Sequence, residues 1–185
     1  MALAWFAAPF AVLLIVWGVA VRLYDVPLRV FPGPIDVARA FEAQWRTGAI
    51  GNHVWQSLRR VLVGTTLAVV TSVPLGIAVS TSRFVAVPLT PILRFFAVLA
   101  GIAWIPLATL WFGYGFGAIT FIIFNAVFFV VTYNTILGVS GIPQALRDAA
   151  RSLGAKRWQI LTEVLLPGAL PNIVTGIRTG MGFAW

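Results

Sequence analysis

Apolar residues in this chain come in long unbroken runs, and the sparse charges between the runs mark out its elements. Arg or Lys at the centre of a bilayer costs about 3 kcal/mol, so charges tend to stand at the ends of membrane spans. Residues 1–21 and 61–82 are charge-free, as is the 52-residue stretch 95–146. As one helix the last would extend about 78 Å at 1.5 Å per residue, against a hydrocarbon core of about 30 Å. It must therefore reverse. Gly113, Gly115 and Gly117, interleaved with Tyr114 and Phe116, supply a relaxed backbone and interfacial aromatic rings at the right place. The pattern predicts an all-α, polytopic membrane helical bundle as a single domain over 1–185. Four spans are complete, at 2–22, 59–82, 87–112 and 118–139, and a fifth, at 165–185, is incomplete.

The stretches between these runs carry their own periodicity. In the loop 23–58, a rigid Phe31-Pro32-Gly33-Pro34 turn is followed by Ile35, Ala38, Phe41, Glu42 and Trp45 at near-helical spacing. This reads as a short amphipathic helix at the membrane interface, with a plain polar loop as the alternative. Residues 143–166 are too polar to span. Pro143 suits a first helical turn, Leu146, Ala149, Ala150 and Leu153 share one face, Arg147 and Arg151 share another, and Gly154 interrupts. Like charges four residues apart weaken an isolated helix, so Arg147 and Arg151 are expected to meet an acidic partner outside it, either anionic lipid or a groove on another protein.

Composition narrows the function. The chain is 60% hydrophobic and 10% charged, more apolar surface than one soluble core buries. Its net charge of +8 is spread as short groups between runs, which argues against nucleic acid. Without Cys it has no disulfide and no thiolate metal site. His53 is the single His and has no second ligand at metal spacing, so no metal site is expected. The first run lacks a preceding Lys or Arg and exceeds a signal-peptide core, which favours an anchor over a cleaved leader. Six Lys or Arg fall on each side of the spans, so positive-inside counting leaves orientation undecided. No catalytic constellation or phosphate-binding loop stands out, so no cofactor is expected in this chain and ATP would be bound elsewhere. Asn125, Thr132, Tyr133 and Asn134 in the fourth span, and Arg178 in the fifth, either line a pathway or bond between helices. Gly176 and Gly180 allow close helix packing.

Asp148-Ala149-Ala150, three residues, Gly154, nine residues, Val164, one residue and Leu166-Pro167 resembles the signature loop of ATP-binding-cassette importer permeases, Glu-Ala-Ala-x3-Gly-x9-Ile-x-Leu-Pro, with Asp and Val as conservative replacements. Phe31 to Pro34, Ser57-Leu58 with Arg60 and Gly64, and Trp111-Phe112-Gly113 resemble the branch that handles nitrate, sulfonates and taurine. The resemblance implies a multi-pass protein of the bacterial inner membrane that forms a pathway for a small anion-like solute. It implies that 143–166 is cytoplasmic and docks on a separate ATPase subunit through Arg147, Asp148, Ala149, Ala150, Arg151, Leu153, Gly154, Leu166 and Pro167. Further implied partners are a second permease copy, an extracytoplasmic solute-binding protein and membrane lipid. Members of that family continue beyond Trp185, so the chain is expected to be truncated there. A self-contained channel or secondary transporter is the alternative, and a membrane enzyme a third; both lack the groups they need, since apart from Arg59 and Arg60 at the edge of span two Arg94 is the one ionisable charge within spans two to four.

Overall fold

The computed structural model describes residues 2–24, 27, 30–99 and 101–184. The expected contributions of Arg29 and Trp185 fall outside that set. All regular structure among the described residues is helical. The chain divides into two compact units, Met1–Gln56 and Ser57–Trp185.

The first unit holds α1 (Ala2–Leu23), α2 (Pro34–Arg46) and the opening of α3 (Ala49–Thr81). The amphipathic helix expected after the proline-rich turn is present as α2. The Asp36 carboxylate accepts the Gly33 N–H at 3.3 Å, closing its first turn. Arg46 pairs with Glu42 at 2.6 Å, and Phe41 stacks on Trp45 with ring centroids 6.0 Å apart. None of its residues is buried. Trp17 of α1 meets Phe31, and Gly18 leaves room for Pro34.

The second unit holds the rest of α3, then α4 (Arg83–Val98), α5 (Ile105–Phe112), α6 (Phe116–Ser140), α7 (Gln144–Ser152) and α8 (Arg157–Phe183). The glycine reversal stands where the sequence predicts it: α5 stops at Phe112, Gly113 takes φ +69° and Gly115 φ +151°, and α6 begins at Phe116. Such angles burden any residue with a Cβ.

The segment 87–112, expected as one span, is instead two shorter helices, α4 and α5, separated by a 3-10 turn at Gly101–Trp104. Pro106 stands at the division: it opens α5 without an N–H to offer the preceding turn, whereas α4 runs unbroken through Pro88 and Pro91. Phe121 of α6 gathers the rings of Trp104, Trp111 and Phe112, at centroid distances of 6.0, 6.0 and 5.4 Å, and so holds α5 and the turn against the bundle. α3 also begins ten residues earlier than the expected span, because a helix need not stop where its apolar run does. Among the described residues three helices, α3, α6 and α8, are long and apolar enough to cross a membrane, while 8–23 of α1 is a shorter apolar stretch.

α6 lies between α3 and α8, and glycines set both contacts. A Cβ on Gly64 would fall 2.7 Å from Ile123 Cγ2, and one on Gly76 2.7 Å from Thr135 Cβ, so α3 and α6 run in the same direction. On the other side Gly176 sits against Asn134 and Val131, Gly180 against Val127, and Gly138 of α6 against Asn172 and Ala169. α8 is therefore antiparallel to α6. Small residues at helix contacts let backbones approach where burial from lipid supplies little drive. Val61, Ala68, Ile123, Val127 and Val131 form one buried cluster, and Val139, Ile160, Leu165, Ala169 and Ile173 a second, towards the α7 end.

Candidate functional site

α7 and the turn after it form an elbow between the last turn of α6 and the first of α8. Pro143 stands just ahead of the helix as its N-cap rather than within its first turn. At the other end the Gly154 N–H donates to the Arg151 carbonyl at 2.9 Å and the Ala155 N–H to the Ala150 carbonyl at 3.0 Å, with Gly154 at φ +83°. This is a Schellman closure, and the left-handed position after the cap is where glycine costs least. Lys156 restarts the chain as N-cap of α8, its N–H donating to Gln159 Oε1 at 2.8 Å. A π-helical stretch, Ile160–Leu165, follows. It widens the helix immediately before Pro167, which has no N–H for the Glu163 carbonyl.

The signature residues divide between support and display. Ala150, Ala155 and Val164 pack against the second buried cluster, where Val73 and Ile77 of α3 also arrive. Asp148 Oδ1 accepts from both Gln144 Nε2 and Arg151 Nη1, each at 3.1 Å, so Asp148 and Arg151 spend their charges within α7. Arg147 departs from the expectation of an outward-facing pair. Its Nη2 donates to the Val139 carbonyl near the end of α6, which also accepts the Ile142 N–H at 3.3 Å, and its Nε is buried. Beside the exposed Asp148–Arg151 pair an apolar strip is on display: Leu146 is 55% exposed, Leu153 89% exposed, and Ala149 exposed between them. Leu166 and Pro167 lie beyond the π stretch and are also exposed.

The polar residues of α6 do not converge with Arg178. Thr132 and Thr135 are fully buried, their hydroxyls donating to the Phe128 and Val131 carbonyls at 2.7 Å, and they stand at the Gly76 contact. Asn134 Nδ2 donates to the Val130 carbonyl at 2.9 Å beside Gly176. Asn125 is buried and Tyr133 half-buried. Arg178 is exposed, about 200° around α8 from Gly176 at 100° per residue, and so points away from the α6 seam.

Arg60, which the sequence offers only as a flanking charge and as part of the resemblance carried by Ser57, Leu58 and Gly64, is half-buried. It faces a cavity of about 170 Å³ lined by Ser57, Arg60, Val61, Ile119, Ile123 and Ala184, with its Nε buried and unpaired. The signal was available: Ser57 and Arg60 stand three residues apart on a helix, a spacing that shares one face.

Residues 68–185 match the family of binding-protein-dependent transport system inner membrane components. The chain is similar to a taurine transport system permease protein of Escherichia coli, with 35% identity over 180 residues that cover 95% of this chain and 66% of the relative. It is similar to a putative ABC transporter permease protein of Methanocaldococcus jannaschii, 39% identical over 145 residues, 78% of this chain and 54% of that protein. A nitrate import permease protein of Synechocystis is 30% identical over 188 residues, 97% of this chain and 67% of its own length. The chain thus spans about half to two thirds of the length of these relatives.

Proposed function

The chain belongs to the binding-protein-dependent transport system inner membrane components, and from that premise we propose that it is the permease subunit of an ATP-binding-cassette importer for a small anion-like solute, docking on a separate ATPase through α7. The carrying observation is the elbow itself. Ala150, Arg147 and the Gly154 closure fix α7 against α6 and α8, while Leu146, Ala149 and Leu153 stand unpartnered on its outer side. A rigid helix with a small residue between two leucines suits a groove on another protein, because the backbone approaches closely while apolar side chains fill the flanks. In this reading the elbow is cytoplasmic in the bacterial inner membrane, and a second permease copy and an extracytoplasmic solute-binding protein complete the importer. Of the residues first considered for a pathway, Asn125 and Thr132 are buried and Tyr133 half-buried, so the exposed Arg178 carries the pathway part of this proposal.

The test is co-purification of the cognate ATPase with the full chain. Ala149→Arg and Leu153→Asp change exposed positions, so stability should move by no more than about 0.5 kcal/mol. ATPase recovery should fall to background in both. Recovery equal to wild type in both variants would remove α7 as the docking element. Ala150→Arg is a poorer probe, because Ala150 packs inward and its enlargement would disturb the support rather than the displayed face.

A further inference from the structure

We propose that the groove between α1 and α2 holds one aminophospholipid, with its phosphate between Arg22 and Arg39, its ammonium on Asp36 and its chains along α1. These three charges have no ion-pair partner. Among the described residues the ion pairs are Arg46 with Glu42 and Arg151 with Asp148, and Arg22 and Arg39 make no hydrogen bond. Asp36 accepts the Gly33 N–H on one carboxylate oxygen, at 3.3 Å, and leaves the other free. Arg22 and Arg39 are exposed and Asp36 is half-buried. Water satisfies exposed charges well, so it is their arrangement that calls for a ligand: all three line one cavity of about 460 Å³, wholly within the first compact unit.

A packed corner fixes the groove. A Cβ on Gly18 of α1 would stand 3.5 Å from Pro34 Cγ, one on Gly33 3.9 Å from Val21 Cγ1, and the Trp17 and Phe31 rings meet with centroids 5.8 Å apart. On α1 the lining residues Ile15, Val19 and Arg22 are spaced four and three apart, as on one helix face, with Leu14 beside them. Asp36 and Arg39 lie one turn apart on α2. The groove is therefore apolar along α1 and charged at its end, Arg22 standing about 10 Å beyond Ile15 at 1.5 Å per residue. α2 exposes Ile35, Phe41 and Trp45, the apolar and aromatic side chains of an interfacial helix, which sets the charged end at the depth of lipid headgroups.

The sequence of chemistries along the groove selects the ligand class. Apolar walls that end in charge match a lipid, whose chains bury against Leu14, Ile15 and Val19 while its headgroup meets the arginines. Two guanidinium groups suit a phosphate, since each offers paired N–H donors to its oxygens. Asp36 then chooses among headgroups. A wholly anionic one would face its carboxylate at close range, and a quaternary ammonium has no N–H to give it. The primary ammonium of phosphatidylethanolamine has three donors, so it satisfies Asp36 while the phosphate satisfies both arginines. The site rests on α1 and α2 meeting a bilayer and is independent of docking through α7.

Native mass spectrometry of the delipidated full chain in maltoside micelles tests the assignment, by titration with phosphatidylethanolamine, phosphatidylglycerol and phosphatidylcholine of identical chains. One phosphatidylethanolamine adduct is expected, about fivefold tighter than either other lipid. Asp36→Asn keeps an oxygen for the Gly33 N–H but loses the charge, so it should erase that preference and raise phosphatidylglycerol to the level of phosphatidylethanolamine. Arg22→Gln with Arg39→Gln should weaken all three lipids about tenfold, and each single variant by less; these positions are exposed, so the fold should tolerate them. Equal retention of the three lipids by the wild-type chain, or a preference that Asp36→Asn leaves intact, would overturn the site. Glycerophosphoethanolamine, which has the headgroup without the chains, should not compete; competition as strong as that of the lipid would overturn the lipid assignment in favour of a soluble zwitterion. ATPase capture should be unchanged in Asp36→Asn, so a failure here and a failure of the docking role are read separately.

Discussion

The seam between α6 and α8 and the elbow at α7 are built from similar residues, glycines, alanines and leucines, yet they use them in opposite ways. At the seam, glycine is required because another helix occupies the space: Gly176 and Gly180 leave no room for a Cβ beside Asn134 and Val127. At the elbow, Gly154 has nothing within 4 Å of a would-be Cβ and is required by its backbone angle alone. Leucine shows the same inversion. Leu165 is 5% exposed inside the second cluster, whereas Leu153 is 89% exposed on α7. Small and apolar residues therefore indicate packing at one place and presentation at the other, and what surrounds each residue decides which.

The largest effect expected from this contrast is at the seam. Gly176→Ala puts a methyl 2.7 Å from Asn134 Cβ and 3.2 Å from Val131 Cα, and the backbone atom has nowhere to move. Overpacking of this kind costs about 2 kcal/mol. Gly182→Ala, on the same helix but with nothing within 4 Å, should instead be neutral or stabilising by up to about 1 kcal/mol, since alanine is the better helix former. Thermal unfolding of both variants in detergent checks the pair. Destabilisation of equal size in the two would mean that helix propensity, and not the α6 contact, governs the seam.

A smaller effect is expected at Gly154. Gly154→Ala meets no atom, so its cost is the left-handed backbone angle, about 1 kcal/mol. Gly154→Asn should cost less, because asparagine tolerates that region. If the elbow is the docking element, ATPase recovery should follow the same order, with wild type highest, asparagine next and alanine lowest. Recovery that ignores the order would detach the closure of α7 from docking.

Much of this architecture was legible in the sequence because it follows from single residues with strong local preferences. The reversal at Gly113 to Gly117, the helix after Pro34 and the interruption at Gly154 each stand where glycine and proline place them. The division of 87–112 is not visible to hydropathy, which does not register a proline, although Pro106 carried the signal. The early start of α3 was missed because charges mark the edge of a bilayer, not the end of a helix. Arg147 was out of reach for a different reason. Its acceptor is a backbone carbonyl eight positions earlier, brought close only by the chain's turn between α6 and α7.

The smallest expected effect concerns the two arginines of α7, which the sequence presents as equivalents. Arg147 reaches a backbone carbonyl with its Nε buried, whereas Arg151 pairs with Asp148 across one turn with both side chains more than half exposed. An exposed pair of this kind contributes about 0.3–0.5 kcal/mol and weakens as salt screens it. Arg151→Ala should therefore lower stability by no more than about 0.5 kcal/mol, a loss that disappears in 1 M salt. The Asp148 carboxylate keeps its bond from Gln144, so the variant leaves no acceptor stranded. The same substitution sharpens the account of docking. If the displayed face of α7 is chiefly apolar, Arg151→Ala should leave ATPase recovery at low salt nearly unchanged while Leu153→Asp abolishes it. A loss of recovery in Arg151→Ala as complete as in Leu153→Asp, with stability intact, would show that an acidic groove reads the charge of Arg151 directly and that its pairing with Asp148 yields to the partner.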